Sequence, residues 1–227
     1  MRHIWNRNTI PMKSHRFAFL LATVPLLTPP ALAQFHQKRS FHASLGAALG
    51  GHSTTSTFTF HVLGVDFSKT QNDGAATFTI PVQVGYGLSD AFSLGFFLEP
   101  GNYIDSNLTR TNGLFLYGIE PRFYAVNKER FAWMLGLQLG GTALRITDNG
   151  GGKTKESRYS GSVFGMGTAL LFGLSDRIDL QLHFRYIATR MPLRSYSEDG
   201  NSVSTKDFSG ELRTSGVAAQ LGAGFRF

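Results

Sequence analysis

Apolar and polar residues alternate at period two along most of this chain. In "RIDLQLHFRY", Ile178, Leu180, Leu182, Phe184 and Tyr186 share one face, while Arg177, Asp179, Gln181, His183 and Arg185 share the other. A helix would scatter that pattern around its circumference, whereas a strand sorts it onto two sides. The chain end repeats it, with Val217, Ala219, Leu221, Ala223, Phe225 and Phe227 opposite Gln220, Gly222, Gly224 and Arg226. Chain ends normally fray in water and carry polar residues. A terminal strand that ends on phenylalanine asks for an apolar surrounding, and a bilayer supplies one.

Further alternating segments fall at roughly 40–52, 75–87, 91–104, 113–126, 130–145 and 159–173, which with 177–192 and 214–227 make about eight strands. Their connections alternate in length. Tight turns are expected at "GLSDA" (Gly87 to Ala91), "VNKER" (Val126 to Arg130) and "GLSDR" (Gly173 to Arg177), where Gly, Asn and Asp suit turn geometry. Longer polar segments, at about 53–74, 105–112, 146–158 and 193–213, lie between them. Within the first, "TSTFTFHVLGVDF" (Thr55 to Phe67) itself alternates, so this loop can extend as a hairpin above a membrane. Short turns at one end and long loops at the other, with both termini at the short-turn end, predict a closed antiparallel up-and-down transmembrane β-barrel.

Alternation alone does not say which face meets lipid, since a soluble barrel places its apolar face inward. The glycines decide. Ser44, Gly46, Ala48, Gly85, Gly95, Gly118, Gly136, Gly140, Gly165, Gly167, Gly222 and Gly224 fall on the less apolar face, suited to a crowded narrow lumen. Phe78, Ile80, Phe92, Leu94, Phe96, Phe115, Ile119, Phe131, Trp133, Leu135, Leu137, Phe164, Leu170 and Phe172 fall on the other, more bulk than a small lumen could hold, so they point outward. Tyr86, Phe92, Tyr124, Phe131, Trp133, Phe172, Phe225 and Phe227 are expected at the turn-end bilayer interface. Tyr103, Tyr117, Tyr159 and Tyr186 are expected in the opposite girdle. Pro81, Pro100 and Pro121 each remove a ladder donor and are expected at bulges or strand ends.

Compartment is read from the start. Arg2, Arg7, Lys13 and Arg16 precede the apolar run "FAFLLATVPLL" (Phe17 to Leu27), and Ala31-Leu32-Ala33 forms a small-residue cleavage pattern. The run is too short to span a bilayer. Residues 1–33 are therefore expected to be a signal peptide and 34–227 the barrel domain, with Met12 as an alternative compact start. Removing residues 1–33, which hold four basic side chains and no acid, lowers the formal charge from +7 to +3. No basic stripe remains to favour nucleic acid. The absence of cysteine excludes disulfides and thiol chemistry.

A signal peptide, about eight amphipathic strands, "LSD" turns and the terminal "GFRF" together resemble the small outer-membrane β-barrel (porin-like, OmpA/OmpX-type) superfamily of Gram-negative bacteria. The likeness spans nearly all of 34–227. It implies residence in the bacterial outer membrane, contact with its lipids and lipopolysaccharide, and an assembly signal at Phe225 and Phe227 met by the barrel assembly machinery. A monomer is expected. No peptidoglycan-binding domain is expected after the barrel, so the two-domain members are not the expected match.

Candidate functional residues are those facing inward: Gln83, Glu99, Glu120, Arg122, Gln138, Asp179, Gln181, His183, Arg185, Gln220 and Arg226. In a narrow bore their charges must pair, and a barrel of about eight strands is filled by its side chains. The expected role is structural or surface-interacting, around a filled lumen. A channel for small or apolar solutes, with His183 as a proton-sensitive gate in the polar case, is the alternative. No enzymatic activity, cofactor or metal is expected. "GGGKT" (Gly150 to Thr154) has Thr147 where a phosphate loop needs its first glycine, and no helix follows. The lipid A deacylase family, also small barrels, resembles this chain and carries a His/Ser/acid set near the outer rim facing lipid. Here His42 and Ser44 point inward near the opposite end, while the adjacent His52 and Ser53 lie on opposite faces. The remaining histidines lack metal-ligand spacing.

Overall fold

The computed structural model describes residues 34–62, 65–105, 110–204 and 208–227; the expected signal peptide lies outside them. Among the described residues ten strands run in chain order: β1 (Phe41–Val62), β2 (Val65–Thr79), β3 (Val82–Ser89), β4 (Phe92–Ile104), β5 (Arg110–Asn127), β6 (Phe131–Asp148), β7 (Lys155–Gly173), β8 (Ile178–Glu198), β9 (Asn201–Val203) and β10 (Phe208–Arg226). Every pairing is antiparallel. β1 pairs β2 and β3, both of these pair β4, and β4 to β8 follow in sequence. β8 then pairs β10, and β10 pairs β1, which closes the ring. β2 with β3, and β9 with β10, each make one stave, so the ten strands form eight staves. Closure removes the unpaired edge that hydrocarbon would penalise by several kcal/mol per polar group.

Expected and observed strands differ mainly at their upper ends. Residues 53–74 and 193–213 carry strand over most of their length rather than loop, and β6 and β7 extend into 146–158. β1 and β2 continue as one long hairpin above the barrel, as "TSTFTFHVLGVDF" allows. Its outer face carries cross-strand hydroxyl and amide pairs, Thr55 to Asn72 at 2.9 Å, Thr57 to Thr70 at 3.2 Å and Thr59 to Ser68 at 2.8 Å. Threonine is β-branched and fits a pleated surface, so its abundance marks polar strand here, not irregular chain.

The prolines fall at two irregular seams. β2 ends at Thr79 and β3 starts at Val82, so Pro81 occupies the break between them. Pro100 lies opposite on β4, where its carbonyl accepts from Ile80 N at 2.8 Å. Pro121 lies where β5 makes no registered pair with β6, between Ile119↔Leu139 and Arg122↔Gly136. Each missing N–H thus falls where the ladder is already interrupted.

Side-chain faces follow parity along every stave. Leu45, Leu49, Phe96, Leu98, Leu137, Phe184, Val217 and Leu221 are exposed on the outer wall. So large a continuous apolar belt fits acyl chains as its solvent. Among the described residues no helix is long and apolar enough to cross a membrane, which says nothing of a barrel that would cross with its strands. Tyr86, Phe92, Trp133, Phe172, Phe225 and Phe227 are exposed at the turn end, as expected, and Tyr117 and Tyr186 face outward at the other. Three tyrosines correct the sequence reading: Tyr103, Tyr124 and Tyr159 are buried inside the barrel. Each shares parity with inward neighbours, Tyr103 with Glu99 and Tyr124 with Arg122.

The terminal phenylalanine is held on both sides of its peptide. Phe227 N donates to Phe41 O at 2.8 Å, and Phe41 N donates to Phe227 O at 3.2 Å. The last residue is therefore part of the closing seam.

Candidate functional site

Four staves bring charge into the bore because charged residues there occupy inward parity: Glu99 on β4, Glu120 and Arg122 on β5, Asp179 and Arg185 on β8, and Arg226 on β10. Glu99 and Arg185 are buried. Arg185 Nη2 donates to Glu99 Oε2 at 2.6 Å, and Nη1 donates to Glu99 Oε1 and, at 3.3 Å, to Gln138 Oε1. A bidentate fork of this kind fixes both partners in direction as well as distance.

Closer to the turn end a second cluster surrounds Arg122, itself almost fully buried. Its Nε donates to Glu120 Oε2 at 2.9 Å, Nη2 donates to Gln83 Oε1 at 2.6 Å, and Nη1 meets His42 Nε2 at 2.5 Å. Gln138 Nε2 reaches Glu120 Oε1 at 3.4 Å and so links the two clusters. Ser44 Oγ donates to Gln83 Oε1 at 3.3 Å. On the β8 side, Gln181 Nε2 donates to Asp179 Oδ1 at 2.7 Å, and His183 Nε2 lies 3.0 Å from Gln181 Oε1. Arg226 forms an ion pair with Asp179 at 3.6 Å. Gln220 is buried beside them, its Nε2 close to Gly46. All eleven inward candidates named from the sequence thus line one bore, ten of them buried and Arg226 half-buried. Each buried arginine meets a carboxylate, the condition under which such charges can be kept from water.

Glycine leaves room where these side chains press on the wall. A Cβ at Gly85 would stand 2.4 Å from the His42 ring, and one at Gly224 would stand 2.3 Å from Asp179 Oδ1. A side chain at either position would force the His42 ring or the Asp179 carboxylate to shift.

Beneath the charges lies a stopper that the sequence reading missed. Phe35 and His36, just before β1, are buried in the turn-end mouth. Phe35 N donates to Lys128 O at 3.0 Å, and His36 N donates to Asn127 Oδ1 at 2.9 Å. The His36 ring stacks on Tyr124 at 4.0 Å, and Arg226 lies over the Phe35 ring at 4.1 Å. Burial lowers the His36 pKa from its ordinary value, which favours the neutral ring in that stack. A two-residue segment carries no periodicity, so no sequence pattern marks it. Tyr124, expected at the bilayer interface, is buried here instead, and its shared parity with Arg122 is the signal that could have found it.

Above the charges the bore turns apolar, with Leu114, Leu116, Leu144, Ile187 and Met191 buried there. Tyr103 shares a 2.7 Å hydrogen bond with Thr54. A cavity of about 20 Å³ remains beside Glu99, Tyr103, Ile187 and Arg185, room for about one water.

The arrangement offers little to covalent chemistry. His42 is turned to Arg122 and Ser44 to Gln83, so the two make no nucleophile–base pair. His52 meets Thr77 Oγ1 at 2.9 Å, and Ser53 is exposed on the outer face. "GGGKT" forms an exposed turn leading into β7, with Gly151 and Gly152 at φ +72° and +76°. Among the described residues no cluster of His, Asp and Glu could hold a metal.

No family model matches this sequence, and no curated protein matches it. Solved structures do. The outer membrane protein OprG from Pseudomonas aeruginosa superposes with a TM-score of 0.57 at 12% identity, over 85% of this chain and 97% of that one. AlkL, solved in lipid bilayers, gives 0.49 at 16% identity over 88% and 96%, and Ail of Yersinia pestis gives 0.44 at 13% over 84% and 100%. At 12% identity the likeness to OprG is one of fold, that of an outer-membrane β-barrel.

Proposed function

We propose that this protein is a non-enzymatic outer-membrane barrel that does not conduct along its axis, and that it serves the envelope through its outer wall and extracellular hairpins. The observation that carries this reading is the Glu99–Arg185 pair, which joins opposite staves, with the Arg122 cluster and the Phe35–His36 stopper beneath it. A solute moving along the bore would have to separate buried ion pairs, and leaving one partner uncompensated costs about 3–5 kcal/mol. The test is uptake of a small sugar such as arabinose by proteoliposomes. The expected result is swelling no faster than in empty vesicles, and sugar-dependent swelling would contradict the proposal.

One observation favours a second reading, sideways passage of small apolar molecules from the upper bore into lipid. β2 and β4 share only the pairs Ala76↔Ile104 to Thr79↔Gly101. Thr77, Arg185 and Ala218 line both the inner cavity and a groove of about 720 Å³ on the outer wall. A disulfide across this seam, Ala76→Cys with Ile104→Cys, is expected to abolish such passage and to leave the axial barrier unchanged.

A further inference from the structure

Five arginines stand exposed on one side of the outer wall, and their arrangement repeats. On β6 and β7, Arg145 and Arg158 are direct cross-strand partners, and Glu156 bridges them, accepting from Arg145 Nη2 and, at 2.5 Å, from Arg158 Nε. On β8 and β10, Arg190 and Arg213 are direct partners too, and Glu211 bridges them, accepting from Arg190 Nε at 2.9 Å and from Arg213 Nε. Arg194 stands between these two triads. It is the extra residue where β8 bulges, since Arg158 pairs Ser195 while Tyr159 pairs Leu193. Its Nε donates to Ser160 Oγ at 3.1 Å.

Two glutamates against five arginines leave three positive charges in excess, and each guanidinium keeps N–H groups that its partner does not use. Each bridging carboxylate ties two of the arginines together while leaving their side chains largely exposed. Height matters as much as charge. From Ile178 to Arg190 on β8, and from Phe225 to Arg213 on β10, tilted strands climb roughly 30 Å, slightly more than an apolar band of about 25 Å. The ridge therefore lies at the level of lipid headgroups in the outer leaflet. Directly beside it, Phe115 and Ala143 help line a groove of about 440 Å³ that also touches Arg145, Arg158 and Arg194. Cations above an apolar channel complement a molecule with phosphates above acyl chains.

We propose that this ridge, Arg145, Arg158, Arg194, Arg190 and Arg213, binds the phosphates of a phosphorylated glycolipid of the outer leaflet, with one acyl chain along the Phe115–Ala143 groove. The site lies outside the wall and does not depend on whether the bore is sealed. Planar forked guanidinium groups suit phosphate oxygens better than ammonium groups would.

The test is native mass spectrometry of the protein purified from membranes in detergent, mixed with bis-phosphorylated lipid A or with the same lipid A dephosphorylated. The expected result is occupancy by the phosphorylated lipid about tenfold above that by its counterpart. Arg145→Gln/Arg158→Gln/Arg194→Gln and Arg190→Gln/Arg213→Gln should each lose most of that difference while keeping the gel mobility of a folded barrel. If either variant fails to fold, Arg194→Gln, whose side chain meets only Ser160 Oγ among these contacts, replaces it. Equal occupancy by the two lipids, or undiminished occupancy in folded variants, would overturn the proposal. Displacement of lipid A by millimolar inorganic phosphate would also overturn it, since that identifies a free-phosphate site.

Discussion

Glu99 on β4 and Arg185 on β8 lie four staves apart in either direction around the ring, and they close on each other across the full bore. Both are buried, and the fork between them ties opposite walls together. Breaking one side should therefore be costlier than removing both. Glu99→Gln is expected to lower stability by about 3–5 kcal/mol, whereas Glu99→Leu with Arg185→Met should recover much of the loss. Equilibrium unfolding in lipid vesicles measures both.

Gly224 tests how tightly the Asp179 level is packed. A methyl there meets Asp179 Oδ1 and Gln181 Nε2, so Gly224→Ala should destabilise by about 1–3 kcal/mol. Gly51→Ala is the control, since a Cβ at Gly51 meets nothing within 4 Å, and it should change little. The same unfolding titration compares the two.

Phe35 and His36 predict a protected segment ahead of the first strand. Their amides donate to Lys128 O and Asn127 Oδ1, so hydrogen exchange at both should be slow. In Phe35→Ala, exchange at these two amides should accelerate by about tenfold or more while the strand amides keep their rates.

Glu156 should titrate low. Hydrogen bonds from Arg158, then from Arg145, hold its carboxyl below the ordinary carboxylate range. The stabilisation this implies is present above the unfolded value of about 4.3 and is lost as pH falls through the depressed folded value. Carboxyl carbon NMR should show the lowered midpoint, and Arg158→Gln should move it up.

Much of the fold was legible because lipid outside and close packing inside both act through parity. The Ile178–Tyr186 alternation and the inward glycines set the direction of each wall from residue type alone. The misread tyrosines show where that reading stopped. Tyr103, Tyr124 and Tyr159 carry the parity of the bore, but an aromatic ring near a strand end suits a girdle equally well, and composition outweighed phase. The apolar upper bore was hidden for a related reason: Leu114, Leu144 and Ile187 place apolar bulk on the inward face too, so both sides of those strands look alike. Residues 53–74 were read as mostly loop because hydroxyls resemble turn chemistry until their cross-strand partners are known. The arginine ridge depended on register across four strands and on the bulge at Arg194, neither of which a linear pattern contains.

Single-channel recording in a planar bilayer tests the sealed bore most directly. Reconstituted wild-type protein should add no steady discrete openings to the bare membrane, whereas Glu99→Gln/Glu120→Gln, which uncouples both arginine clusters, should introduce them. Steady unitary openings in the wild-type protein would contradict the account.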